Sequence, residues 1–444
     1  MMTIAALALI PVQLGLSILL FCGVSDRLQV HSFIFQEQSP QRSFKSKTRR
    51  TDKYTSISTS LDMSPNPQEE KSGSSLSSSD SLYWNREISS VKSYTVTKSI
   101  TQEARIICIS DPGDKPNERL LGENAHLPDG AEVVAVGCQV SDFDISQLKE
   151  SQANVIFTSS MKAKEPIAHL IQGLGGQIRW IHSRSAGIDY VTSPTLAESG
   201  ADLIMTNAKG CYSSTLAEYT MMAISYFAKD LPRLLKNKGD KRWEKYSIEE
   251  IRGKTLGIVG YGDIGKAAAR LAKAYGMNII ALKRKPSAQE CQLCNKIYYG
   301  GDADERKEAL HQIMSESDYV LCAAPLTPET HKMFNREAFE CAKQGSVFMN
   351  VGRGPIVDEE ALIEALKSDT GGKLKGAGLD VFATEPLPLD SELWDLENIL
   401  ISSHNMDQTE TFQEESVDFF VDENLPRFLR EEVLLNPVDK VAGY

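Results

Sequence analysis

From Ala104 onward, short apolar runs alternate with longer stretches whose apolar residues recur at helical spacing. The runs are RIICIS (105–110), AEVVAVG (131–137), NVIFTS (154–159), RWIHS (179–183) and ADLIMTN (201–207). Near-continuous apolar strands separated by helical segments predict a parallel sheet covered by helices. Ser213 to Lys229 opens with capping residues and runs apolar at helical spacing, which predicts one long helix leaving this first sheet. A second alternation begins at Thr255, with strands expected at TLGIVG, NIIALK, YVLCAAP, SVFMNVG, GAGLDVF and the ILISS run at 399–403. Glu410 to Leu429 is again helical in pattern and is expected to pack back on the first unit. The fold class is α/β, with two doubly wound parallel-sheet domains flanking a cleft.

The first hundred residues carry a different pattern. Met1 to Ser25 has no charged side chain, and Ile4 to Val24 is long and apolar enough for a signal segment or a membrane span. Asp26 to Ser60 is basic and Ser/Thr-rich, the composition of an organellar transit peptide. In series the two resemble the bipartite presequence of algae with secondary plastids, and Ser32-Phe33 is loosely like the cleavage motif of such leaders. Plastid import is the expectation. The alternatives are a membrane anchor or the secretory pathway. Residues 1–60 are thus assigned to a presequence and 61–103 to a disordered linker, since six serines between Lys71 and Asp80 leave too little apolar surface to pack.

Composition narrows the choice of partner. The net charge of −12 hides a basic leader, with seven Lys and Arg against three Asp and Glu in residues 1–60, so the remainder stands at −16. A body this acidic repels nucleic acid and anionic membrane. Eight cysteines without regular spacing argue against a disulfide framework. The single Cys291-x-x-Cys294 pair lacks the four ligands of a structural zinc site, and no metal is expected.

The candidate chemistry starts at Gly260-x-Gly262-x-x-Gly265, which follows the strand LGIVG and precedes the helical stretch KAAARLAKAYG. In this context the first glycine permits a tight turn, the second lets backbone approach a pyrophosphate, and the third allows close helix-to-strand packing. Phosphates then sit on the helix N-terminus, beside Asp263 and Ile264. This is a Rossmann-like dinucleotide site, and the first unit reads as its flavodoxin-like companion. An NAD site carries an acid about 20 residues further on for the ribose hydroxyl. None occurs between Asp263 and Glu290, and Lys283, Arg284 and Lys285 stand at the next strand end instead. Cations there attract a 2′-phosphate, so NADP(H) is favoured, with NAD(H) the alternative if the basic strand end is merely exposed.

Three motifs follow in order: NVGRGPIVDEEAL (350–362), GAGLDVFATEPLP (376–388) and SSHN (402–405). With SAGID (185–189), Ala217-Glu218 and DYVLCAAPLTPET (318–330), they make the chain resemble the D-isomer-specific 2-hydroxyacid dehydrogenases over residues 104–437. That family includes glyoxylate, hydroxypyruvate and phosphoglycerate dehydrogenases. The resemblance implies a catalytic set of Arg353, Glu385 and His404, with Asp380 near the nicotinamide carboxamide and Ala324, Val351 and Gly352 at the cofactor. It divides the body into a substrate domain (104–206 and 408–437) and a nucleotide domain (207–407), and implies a homodimer with the helix at 213–229 as candidate interface.

The residue types suit hydride transfer to a small 2-oxo acid. His404 supplies a proton near neutral pH with Glu385 orienting it. Arg353 polarises the carbonyl and pairs with the carboxylate in a fork that Lys cannot reproduce. Backbone N–H groups around Ala186 and Gly187 take the other end of the carboxylate. Glyoxylate and hydroxypyruvate are the leading substrates, and a phosphoglycerate dehydrogenase-type enzyme is an alternative. A different class, a nucleotide-sensing co-repressor of the same fold, would keep the triad. Two positions depart from the family pattern: Ser403 replaces the usual Pro before the histidine, and Tyr219 stands where many members have His. The chain ends forty residues past His404, which leaves no room for the regulatory domain of many phosphoglycerate dehydrogenases.

Overall fold

The computed structural model describes residues 99–443 apart from 115–116, 123–124, 287–291 and 368–370. The presequence, most of the linker and Cys291 lie outside the described residues.

The first lobe is a five-stranded parallel sheet: β1 (Ala104–Ile109), β2 (Ala131–Gly137), β3 (Val155–Thr158), β4 (Trp180–Ser183) and β5 (Ile204–Asn207), in the order β2-β1-β3-β4-β5. Every residue of β3 and β4 is buried, as strands covered on both faces require. One face packs under Ile167, Leu170 and Leu174 of the helix Lys164–Leu174. The other is covered from the far end of the chain. Val417, Phe420, Val421, Leu425 and Phe428 lie on Ile106, Val155, Phe157 and Trp180. Those residues belong to one helical run, α-helical over Phe412–Asp418, π-helical over Phe419–Asn424 and α-helical again over Leu425–Leu429. Pro426 has no N–H to return to the carbonyl four residues back, which accounts for the widened turn before it. Beyond this run the chain reaches the edge of β5, where Val438 N–H donates to the Met205 carbonyl at 2.8 Å.

The second lobe holds seven parallel strands: β6 (Thr255–Val259), β7 (Asn278–Lys283), β8 (Lys296–Tyr299), β9 (Tyr319–Cys322), β10 (Ser346–Asn350), β11 (Leu374–Leu379) and β12 (Ile399–Ile401). Their order is β12-β11-β10-β9-β6-β7-β8. The strand order reverses between β6 and β9, and ligands of such sheets bind outside the carboxyl ends at that point. Six of the seven strands match the sequence expectation. The seventh, β8, is a short edge strand that the apolar pattern did not signal.

The helix Ser213–Ala228 was the candidate interface. In the structure its Leu216, Ala217, Tyr219, Met221, Ala223, Ile224 and Phe227 are all buried within the chain. They pack with Ala267, Ala268 and Ala272 of the helix Asp263–Ala274, whose small side chains permit close approach. Met222 of this helix stays exposed, and just beyond the helix Leu234, Leu235, Trp243 and Ile248 are exposed as well. Among the described residues no helix is long and apolar enough to cross a membrane.

Candidate active site

The glycine turn sits at the reversal point. Gly260 has φ +94°, and a Cβ there would stand 2.5 Å from Ala324 N, so the loops after β6 and β9 touch. A Cβ on Gly265 would meet the Gly260 carbonyl oxygen at 2.6 Å, which fixes how closely the helix packs on its strand. At Gly262 a Cβ would meet nothing within 4 Å. Crowding at the outer two glycines and open space at the middle one fit a diphosphate lying against the start of the helix Asp263–Ala274. Asp263 adds a negative charge there, and Lys209, from the segment after β5, stands 3.5 Å from its carboxylate. Sequence reading did not single out Lys209, because its partner is remote in the chain. Gly352 closes against the Ala324 carbonyl, where a Cβ would come to 2.6 Å, so Ala324, Val351 and Gly352 line one rim at the ends of β9 and β10.

Lys283 ends β7 half-buried, with Arg284 and Lys285 exposed after it. Glu329 is held below the usual carboxylate range by the Thr327 hydroxyl, with the Arg306 and Arg284 charges contributing. Arg306, on the next helix, thus joins the basic strand end as a neighbour that the sequence pattern did not reveal.

Glu385 and His404 meet across 19 residues of chain. The carboxylate accepts from His404 Nδ1 at 2.7 Å through Oε2, and its Oε1 accepts the Phe382 N–H at 2.9 Å. This leaves Nε2 as the nitrogen that can serve a substrate. His404 itself has φ +52°, a left-handed backbone held in place by its neighbours. The buried Asp380 holds them: its Oδ1 accepts from Ser402 Oγ (2.8 Å), Asn405 N (3.1 Å) and Met406 N (3.4 Å). The loop that lacks a proline at Ser403 is therefore tied down by a carboxylate. That carboxylate was expected at the carboxamide, and its Oδ1 is engaged with the histidine loop.

Arg353 follows β10. Its carbonyl accepts from Asn350 Nδ2 at 3.1 Å, while Asn350 Oδ1 accepts the Gly352 N–H at 3.0 Å, so the buried Asn350 shapes the arginine turn. Gly354 lets this turn press on the next strand end, since a Cβ there would come within 1.8 Å of the Phe382 carbonyl carbon. The guanidinium reaches the first lobe. A Cβ on Gly187 would lie 1.6 Å from Arg353 Nη2, which places the arginine against the Ala186–Gly187 turn. The structure thus gathers Arg353, Glu385, His404, Ala186 and Gly187 around the cleft between the lobes.

Residues 221–405 match the sequence profile described as D-isomer specific 2-hydroxyacid dehydrogenase, NAD binding domain. The hydroxypyruvate reductase of Thermotoga maritima is 30% identical over 301 residues, covering 67% of this chain and 89% of that one. The chain belongs to the D-isomer-specific 2-hydroxyacid dehydrogenase family. Other members differ in length. The D-3-phosphoglycerate dehydrogenase of Methanocaldococcus jannaschii is 28% identical over 75% of this chain, which spans only 59% of that protein. Among solved structures, a D-isomer-specific 2-hydroxyacid dehydrogenase from Xanthobacter autotrophicus, in complex with NADPH and MES, superposes with TM-score 0.62 at 26% identity. It covers 77% of this chain and 100% of its own.

Two further groups, a phenol and a carboxyl, stand close to the histidine loop. Burial pushes the Tyr219 phenol up to about 12, with Ser402 opposing and the Asp380 charge adding to the shift. The family-variant tyrosine therefore lies beneath the histidine loop as a neutral hydroxyl. Asp407, three residues past His404, is pushed above the usual carboxylate range by burial and by Asp380, against the pull of His404 and Arg353. Nothing in the local sequence marked Asp407; only the fold brings these groups around it.

Proposed function

We propose that this dehydrogenase is a reductase of small 2-oxo acids, glyoxylate or hydroxypyruvate, with NADPH as the preferred cofactor. The carrying observation is the His404–Glu385 pair at 2.7 Å in a cleft that also holds Arg353 against Gly187. A dinucleotide held by its diphosphate at the glycine turn would supply the hydride from its nicotinamide ring. The residues of the chain do the rest. Arg353 and the backbone N–H groups of the Ala186–Gly187 turn orient the carboxylate and polarise the 2-oxo group. His404 donates the proton from Nε2 to the carbonyl oxygen as it becomes a hydroxyl, while Glu385 keeps the ring aligned and balances its charge. In the oxidative direction neutral His404 takes that proton back.

Lys283 and Arg284 support the NADPH preference, as do related structures that hold NADPH or NADP. Relatives described as glyoxylate and hydroxypyruvate reductases favour an enzyme over a nucleotide-sensing co-repressor. The test is steady-state oxidation of NADPH and NADH by glyoxylate, hydroxypyruvate and pyruvate. Turnover of one of the first two with NADPH is expected, and inertness toward all three 2-oxo acids refutes the reading.

The chain acts as a homodimer in this reading. Leu235, Trp243 and Ile248 are 60%, 95% and 57% exposed, an apolar arm that a second copy would cover. A monomeric mass in light scattering rejects it. Delivery to a plastid rests on the apolar and basic segments before Ser60. An intact N-terminus on the mature protein excludes import through a cleaved leader.

A further inference from the structure

Arg353 is held from the opposite lobe. Its Nε donates to Asp189 Oδ2 at 3.0 Å, between a loop of the second lobe and the turn after β4, 164 residues apart in sequence. Its Nη1 donates to the Gly352 carbonyl at 2.9 Å. With Nε and Nη1 both engaged, the plane of the guanidinium is set, and Nη2 lies over Gly187. Both N–H groups of Nη2 therefore stay available to a ligand at the turn proposed to receive the substrate carboxylate. The side chains of Arg353 and Asp189 are 31% and 55% exposed, so the pair adds little to folding stability. Asp189 also lines a cavity of about 330 Å³ with Pro194 and Ala197 of the first lobe, Leu326 of the second and Val441 near the C-terminus. The pair thus stands where the two lobes meet.

We propose that Asp189 is a positioning residue of the reaction: from the first lobe it aims the guanidinium of Arg353 at the 2-oxo acid, so the arginine is competent only while the lobes are together. This rests on the reductase reading above. It makes closure a condition of chemistry, because separating the lobes withdraws the acceptor that fixes Arg353.

Positioning and simple charge balance predict opposite results. A carboxylate that only offsets the arginine charge weakens anion binding, and its removal lowers KM for the 2-oxo acid while kcat stays unchanged. A positioning carboxylate, once removed, lets the guanidinium swing, and misplacement by about 1 Å costs on the order of 100-fold. The experiment measures kcat, KM for the 2-oxo acid, and NADPH affinity by fluorescence titration in the full chain and in Asp189→Ala and Asp189→Asn. Expected are a kcat loss of roughly 10- to 100-fold for Asp189→Ala and a smaller loss for Asp189→Asn, whose amide oxygen still accepts from Nε. NADPH affinity and Tm should match wild type in both. A lowered KM with unchanged kcat, or unchanged kinetics throughout, overturns the proposal while wild-type turnover leaves the reductase reading standing. A wild-type chain inert toward every 2-oxo acid overturns both.

Discussion

Replacing Gly187 by Ala places one methyl group where the arginine of the other lobe now lies. The new Cβ would stand 1.6 Å from Arg353 Nη2 and 2.9 Å from its Cζ, with no backbone atom in the way. To restore ordinary contact near 3.5 Å the guanidinium tip must retreat by roughly 2 Å. A long side chain makes that move cheaply, so the fold survives, but Nη2 no longer reaches the carboxylate turn. Displacement on this scale lowers kcat/KM for the 2-oxo acid by about 100-fold or more. The assay is initial-rate NADPH oxidation by glyoxylate and hydroxypyruvate, paired with thermal melting and NADPH titration. The expected result is a large loss in kcat/KM with Tm and cofactor affinity within error of wild type. If Gly187→Ala keeps near-wild-type kcat/KM, Arg353 does not act from this position. If the variant instead melts early and loses NADPH, the glycine serves the fold rather than the arginine.

Other outcomes follow from the same geometry. His404→Ala should lower kcat by about 10²- to 10⁴-fold, the usual worth of a general acid, and turnover within tenfold of wild type would remove His404 from that role. Lys283→Asp with Arg284→Ser should shift the kcat/KM ratio toward NADH, and an unchanged ratio would show that the strand end holds no phosphate. Acid should destabilise the first lobe through His182, fully buried and pushed down to about 3 by that burial. Between its folded and unfolded values the unfolded chain binds the proton better, so this contribution is present above about pH 6.5 and is lost as pH falls toward 3. At pH 5 the loss is about 2 kcal/mol, and His182→Gln should flatten the fall in Tm from pH 7 to 5. Parallel Tm profiles would refute it.

The strands were legible because a parallel sheet covered on both faces needs unbroken apolar runs such as VIFT and SVFMN. β8 escaped because an edge strand reading KIYY is half polar and lacks that demand. Motif order and residue chemistry singled out Arg353, Glu385 and His404, which the structure brings to one cleft, and the glycine turn was marked by its strand-helix setting. Asp189 lay inside a motif that had been read, but its role depends on a contact 164 residues away that no local pattern carries. Lys209, Arg306 and Asp407 were hidden for the same reason. Tyr219 was visible only as a departure, and its place under the histidine loop comes from packing between one helix and two strands.

The helical run Phe412–Leu429 that covers the first sheet also sets the order in which the protein can fold during synthesis. Strands β1 to β5 are all translated by Asn207, yet Phe420, Leu425 and Phe428, which cover Ile106, Phe157 and Trp180, come about 200 residues later. At ordinary translation speeds that is roughly 10 to 40 s in which one face of the nascent sheet lacks most of its cover, with only Leu120 and its neighbours in place. The second lobe can complete its own strands within that interval. The half of the protein made first is therefore the half finished last, and ribosome-bound chains arrested between Asn207 and Thr411 should recruit chaperones to that largely uncovered face.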